Sequence, residues 1–431
     1  MDLFITKENK ALNEKYYFLK HKSGLNLTVI PKDLPTKYAF VCCNFGAADL
    51  DDSSGGVKRS LPPGTAHFLE HKMFEARDGH DSFLDFEKFG GSANAYTSFE
   101  NTCYFFSCSD NFNENLRVLL SAVSGAHFTK RSVDRERRII TREISMYDDT
   151  PSANLSHNLM NALYRSHPIT KKISGTAEGI KQITKPVLMQ AFKDFYVPEN
   201  LSLAVCGKID KDLIVAAADE FFPASSAAFR PTTLFPDEPE TVVRQTVTEQ
   251  APAATNLYSV GFKCVPSGKD DIEAMKRGYA MRIALTLVFG RSSDFYCKNY
   301  EKGVLNERFY AGFTQTRGTA FMTFSGAGDD PGLIAEMITE ELESRRKTLF
   351  GKEEFAREKK ATYADSLALF DIAEDLTAAY AADVFDGYDE FDCIEALKAL
   401  DYDYICETFR STASTAARAI SVITPTTDER G

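Results

Sequence analysis

Histidine is scarce in this chain, with seven among 431 residues, and none lies beyond His167. Any histidine-based chemistry is therefore confined to the first half, and the second half cannot supply an imidazole ligand. Long hydrophobic runs are also missing. No apolar stretch approaches the roughly twenty residues that span a bilayer, and the first ten residues mix acidic and basic side chains rather than forming a secretory signal. A soluble, cytoplasmic protein without a membrane partner is expected. An excess of positive charge is absent as well: 50 Lys and Arg against 62 Asp and Glu leave −12 at pH 7. Nucleic acid needs a basic footprint, so it is excluded as a partner. The nine cysteines, including adjacent Cys42 and Cys43, follow no disulfide framework and no paired Cys-x-x-Cys spacing. Free buried thiols in a reducing compartment are the expectation.

Against these absences stands one dense cluster, His67-Phe68-Leu69-Glu70-His71. At about 100° per residue of helix, His67 and His71 are neighbours at i and i+4, with Glu70 between them on the same side. Neutral imidazoles are good zinc ligands, and a carboxylate beside the metal can accept a proton from bound water. The order of residues is the inverzincin pattern, His-x-x-Glu-His. A solvated polar helix face is the plain alternative. Catalytic zinc uses three protein ligands and leaves a place for water, so two histidines require a third group.

That group is sought in the helical segment from Arg135 to Tyr147. Glu136 and Glu143 are seven residues apart and drift only about 20° around a helix, so they share a face with Ile140. A carboxylate on a partly apolar face needs a partner. Zinc would partner one of the two glutamates, and the other would orient a ligand from behind. A salt-bridged helix rich in Arg and Glu is the competing explanation.

The pair of motifs, His67-Phe68-Leu69-Glu70-His71 with the segment from Glu136 to Ile144 some seventy residues later, resembles the pitrilysin/insulinase family, which includes the mitochondrial processing peptidase. The resemblance implies a zinc-dependent endopeptidase in which His67, His71 and Glu143 bind Zn2+, Glu70 is the general base and Glu136 supports the site. The gap from His71 to Glu143 is a few residues shorter than is common in the family. Gly90 to Thr97 resembles the strand on which family members dock peptide or protein substrate, which implies substrate contacts at Ala93, Asn94, Ala95 and Thr97. The stretches from Ser174 to Ile180 and from Phe195 to Leu201 resemble the end of the family's first domain. The wording is most similar to the bacterial branch of insulinase-like peptidases associated with elongation factor P 5-aminopentanol modification.

The chain divides near its middle. Four of its sixteen prolines fall between positions 223 and 239, a composition that breaks helix and strand alike. We expect an N-terminal zinc-binding domain over 1–222, a linker over 223–240 and a C-terminal domain without the metal over 241–431. Strands are expected at 25–30, 39–44, 101–107 and 202–206, with helices at 65–75, 111–126, 132–147, 153–164, 185–196 and 210–221. After the linker follow strands at 242–249 and 256–262, a helix at 272–289, a hairpin at 309–325 and a last strand at 419–423. The fold class is α+β: two tandem related domains, each a mainly antiparallel sheet packed with helices, facing each other around a substrate chamber. With 43% hydrophobic residues, each half has ample material for a core.

In the family, the second half commonly supplies an Arg and a Tyr that contact substrate near the zinc. Here the stretch from Tyr296 to Leu305 has no clear match, and Arg308 and Tyr310 lie nearby but out of register. The departure implies a sister subunit of the same fold that supplies them, hence a heterodimer. Two other functions stay open at this point: a processing or modification factor with one dedicated substrate, and a non-catalytic scaffold subunit.

Overall fold

The computed structural model describes residues 3–54, 57–223, 232–268 and 271–426. It has two compact units, each built on its own sheet. In the first, strands β1 (Ile5–Asn9), β2 (Glu14–Lys20), β3 (Asn26–Ile30), β4 (Lys37–Cys43), β7 (Gly91–Thr97), β8 (Thr102–Cys108) and β9 (Leu201–Cys206) form a seven-stranded sheet in the order β1-β2-β3-β9-β4-β8-β7. A small accessory sheet joins β5 (Asp51–Ser54), β6 (Val57–Ser60) and β10 (Thr232–Thr233) in the order β10-β5-β6. In the second unit, β11 (Thr246–Ala251), β12 (Leu257–Lys263), β13 (Tyr310–Thr316), β14 (Thr319–Ala327) and β15 (Arg418–Pro425) run in the order β11-β15-β12-β14-β13. Each large sheet has one parallel pair, β3 with β9 and β11 with β15, and is otherwise antiparallel. The α+β expectation describes this architecture.

Alternation builds the first core. Leu25, Leu27 and Val29 point inward from the first unit's sheet with Ala39, Val41 and Cys43, and meet Phe68 and Leu69 of the helix Thr65–Met73. Full burial of such a side chain contributes about 1.5–3 kcal/mol. On the opposite face Phe40 stacks on Phe105 with ring centroids 4.5 Å apart.

The helix covering that opposite face comes from the other half of the sequence. Ala373–Asp383 packs on β4 and β9, buries Leu376, Thr377, Tyr380 and Ala381, and accepts a hydrogen bond from the Ser202 hydroxyl at the Ala381 carbonyl. Conversely, Pro151–Leu163 belongs to the second unit, where it packs on β15, β12 and β11. Small residues on that sheet admit the helix closely: a Cβ on Gly261 would lie 2.8 Å from a Leu163 methyl. The first unit thus comprises Met1–Ile144, Lys171–Leu234 and Ala368–Phe391, and the second comprises Ser145–Thr170, Phe235–Leu367 and Asp392–Gly431. These bounds differ from the expected division at 1–222 and 241–431. Order along the chain does not determine which sheet an amphipathic helix covers.

The proline-rich stretch, of which 224–231 lies outside the described residues, is also less free than its composition suggests. The Leu234 amide donates to the Asp51 carbonyl at 2.8 Å. Glu238 accepts from the backbone N–H groups of Arg165, Ser166 and His167 and pairs with Lys263. Proline prevents a regular element here, but not packing or side-chain hydrogen bonding.

A second departure concerns cysteine. The register of β4 and β8 sets Cys42 opposite Cys103, and the two are disulfide-bonded. Their separation of 61 residues follows no recognisable framework, and only strand pairing brings them together. The other seven cysteines lie outside this disulfide, six of them buried and Cys297 exposed.

At the end of the covering helix, burial and the neighbouring Glu390 carboxylate hold Asp383 protonated far above the ordinary carboxylate range, with Glu100 adding repulsion. The sign of the effect follows from linkage. An unfolded Asp383 loses its proton near the ordinary 3.8, while the folded state keeps it, so the stabilisation is fully present below that value and fades as pH rises through the folded-state pKa. The melting temperature should therefore fall as pH is raised from about 5 to about 9. Asp383→Asn should flatten this decline in calorimetric scans, and superimposable profiles for the two proteins would contradict it.

Candidate metal centre

The helix Thr65–Met73 starts at a tight junction. Gly64 has φ 93° and Gly175 φ 75°, and a Cβ on either would fall within 2.7 Å of the other segment's backbone, on Ser174 O or Pro63 O. Only glycine tolerates both the left-handed conformation and that approach. The Thr65 hydroxyl donates to Pro62 O at 2.6 Å. From this fixed start Ala66, Phe68, Leu69 and Met73 enter the core, which turns His67, Glu70 and His71 to the adjoining side. Lys72, 1% exposed, is neutralised by Glu75.

The helix Lys130–Asp148 brings the two glutamates. Its buried Val133, Ile140 and Ile144 seat it on the core, and the Arg137 guanidinium ties it down by donating to the carbonyls of Ile180 at 3.2 Å and Ile183 at 2.8 Å. Glu143 Oε1 then lies 3.4 Å from His67 Nε2, and Glu143 Oε2 lies 3.3 Å from His71 Nε2. One ligand atom from each of the three residues falls within 4.8 Å of the others. Glu136 Oε1 lies 3.2 Å from His71 Nδ1, the ring nitrogen facing away from that convergence.

Electrostatics reflects this crowding. Burial disfavours charge on His71, but hydrogen bonds with Glu136 and Glu143 outweigh it and raise its pKa to about 9. Hydrogen bonds from His67 and His71 hold Glu143 far below the ordinary carboxylate range. Two imidazole nitrogens and one carboxylate converging in this way fit a divalent metal with a free coordination position, and a carboxylate behind a ligating histidine fixes its ring and tautomer.

Glu70 lines a cavity of about 570 Å³ together with His71, Asn94, Ala95, Arg135 and Glu136. The other side of that cavity is β7, the edge strand of the seven-stranded sheet, so its outer main-chain groups have no strand beside them among the described residues. Ala93 and Ala95 pack inward against the core, whereas Asn94 is exposed and its Oδ1 accepts from the Ala95 amide at 2.8 Å. Thr97, expected to contact substrate, donates its hydroxyl to Glu70 Oε2 at 2.6 Å. Arg308 and Tyr310 are exposed in the second unit, Tyr310 62% so and on the edge strand β13. The sequence reading missed the polar residues behind Glu70, namely Thr102, Tyr104 and Tyr196. Thr102 and Tyr104 at alternate positions of a strand were the available signal, since that spacing puts both on one face.

The description insulinase, peptidase family M16, matches residues 60–177, and peptidase M16 inactive domain matches residues 182–362. An uncharacterized zinc protease of Bacillus subtilis, YmfH, is 35% identical over 368 residues, covering 82% of this chain and 84% of its own. The probable mitochondrial-processing peptidase subunit beta of Schizosaccharomyces pombe is 31% identical over 175 residues, covering 40% of this chain and 38% of its own. A crystal structure described as an M16-like peptidase from Alicyclobacillus acidocaldarius superposes with a TM-score of 0.90 at 27% identity, covering 99% of each chain. With both halves matched and a relative so similar along most of its length, this chain belongs to the insulinase family, peptidase family M16.

Proposed function

We propose that the protein is a zinc-dependent endopeptidase acting on peptides or unfolded protein segments in the cytoplasm. The observation that carries this reading is the convergence of His67, His71 and Glu143, with His71 and Glu70 lining a cavity bordered by an edge strand. His67, His71 and Glu143 would hold the zinc, and Glu136 would keep His71 oriented through Nδ1. Bound zinc would supply Lewis acidity, lowering the pKa of water and polarising the scissile carbonyl. Glu70 would take the proton from the attacking water and return it to the leaving amine. An extended substrate would add to β7 by main-chain hydrogen bonds alongside Ala93, Asn94 and Ala95. The inward-packed alanines leave the backbone as the recognition surface, which favours peptides of varied sequence. The likeness to the elongation factor P modification branch rests on motif wording and adds no substrate.

A digest of a peptide library by the purified chain tests the reading. Cleavage abolished by chelation and restored by zinc is expected, and an intact library in the presence of stoichiometric zinc would oppose an activity intrinsic to this chain.

A second reading, dependence on a sister subunit, is favoured by the out-of-register Arg308 and Tyr310 and by the likeness to a mitochondrial-processing peptidase subunit. Purification from native cells should then yield a second chain of the same fold together with higher activity than the isolated chain.

A further inference from the structure

We propose that Thr97 is a positioning residue that fixes the Glu70 carboxylate for proton transfer, with the buried hydroxyls of Thr102, Tyr196 and Tyr104 forming a polar wall behind it. The inference rests on the peptidase reading above. Glu70 and Thr97 belong to different elements, the metal-centre helix and the last residue of the edge strand β7, and meet through the 2.6 Å hydrogen bond from Thr97 Oγ1 to Glu70 Oε2.

Counting protons decides what the neighbouring hydroxyls do. Thr102 sits directly opposite Thr97 across the β7–β8 register, with the two Oγ1 atoms 3.4 Å apart. Thr102 donates its proton to Phe45 O at 2.8 Å, and Thr97 donates its own to Glu70. Each threonine hydroxyl carries one hydrogen, so neither has one left for the other. They stand side by side rather than as a proton relay. Tyr196 is hydrogen-bonded to Thr102, and the Tyr104 and Tyr196 hydroxyls lie 2.6 Å apart. Thr102 and Tyr104 are 0% exposed.

Three hydroxyls buried at the margin of an apolar core cost free energy unless each is bonded. Valine and phenylalanine would fill the same space without that demand. Thr97, beside this set, bonds the Glu70 carboxylate, which lines the cavity. The terminal torsion of a glutamate is broad, so packing alone defines its oxygens poorly. A donor anchored on a strand immobilises Oε2 and leaves Oε1 to accept the proton. Both tyrosines are neutral, and burial raises their pKa further above the ordinary value, so no second anion competes with the base.

The test compares Thr97→Val, which keeps the shape and loses the hydroxyl, with Thr97→Ser, which keeps the hydroxyl. Thr97→Val should lower kcat by about 10- to 100-fold with KM within about twofold of wild type, and zinc content should not change. Thr97→Ser should restore kcat to within about threefold. Crystal structures of the metal-free proteins supply a readout independent of activity: one Glu70 position at residue 97 in wild type and Thr97→Ser, displaced or multiple in Thr97→Val. If Thr97→Val does not fold, Thr97→Ala carries the same comparison. Wild-type kcat in the hydroxyl-free variant, a change in KM alone, or an unmoved Glu70 would overturn the proposal. A wild type that binds zinc and cleaves nothing would instead oppose a peptidase activity intrinsic to this chain, and the wild-type arm reports that separately.

Discussion

Glu70→Gln is expected to retain stoichiometric zinc, keep its fold and lose peptide cleavage by about 10²–10⁴-fold. The substitution preserves shape, and the amide oxygen can still accept the Thr97 hydroxyl that Glu70 Oε2 accepts at 2.6 Å. The proposed ligands His67, His71 and Glu143 are untouched, so metal affinity should persist. What disappears is a group able to take a proton from water, because an amide at neutral pH cannot. Activity assays beside metal analysis separate the two contributions. Undiminished hydrolysis by Glu70→Gln would remove Glu70 from the base role, and loss of zinc with activity would assign it to the metal site.

Truncation should have an equally large effect on folding. A fragment ending at residue 222 retains the seven-stranded sheet but lacks Ala373–Asp383, which covers its outer face. Ile30, Phe40, Ala204 and Cys206 are each no more than 2% exposed on that face in the intact chain. Uncovering large side chains such as Ile30 and Phe40 forfeits about 1.5–3 kcal/mol apiece, against a total stability of roughly 5–15 kcal/mol for a typical domain. The same fragment keeps Pro151–Leu163 without the sheet it packs on. Size-exclusion chromatography and circular dichroism should find an aggregated or incompletely folded product, and a monomer that melts cooperatively would contradict the interleaved assignment.

Much of this was legible in the sequence because it is written in local periodicity. The i, i+4 spacing of His67 and His71 put both imidazoles on one face without knowledge of the fold, and the seven-residue spacing of Glu136 and Glu143 did the same for the carboxylates. The helix Ile272–Phe289 appeared at its expected bounds. What was hidden is non-local. β1 and β2, reading ITKEN and EKYYFLK, are charged or mixed, with no clean alternation to mark them. That Cys42 faces Cys103 depends on strand register. Which sheet the helix Ala373–Asp383 covers was hidden as well, since Leu376 and Tyr380 would suit either core. Thr97 was read as a substrate contact because its strand resembles a docking strand. Its bond to Glu70 depends on how a helix and an edge strand meet in space.

The proposed hydrolysis requires that His67, His71 and Glu143 together hold a catalytic zinc. Metal analysis of the purified chain beside a His67→Ala, His71→Ala double variant tests it most directly. One zinc per wild-type chain and essentially none in a folded variant is the expected result. Equal zinc in both proteins, or none in the wild type after reconstitution, would contradict it.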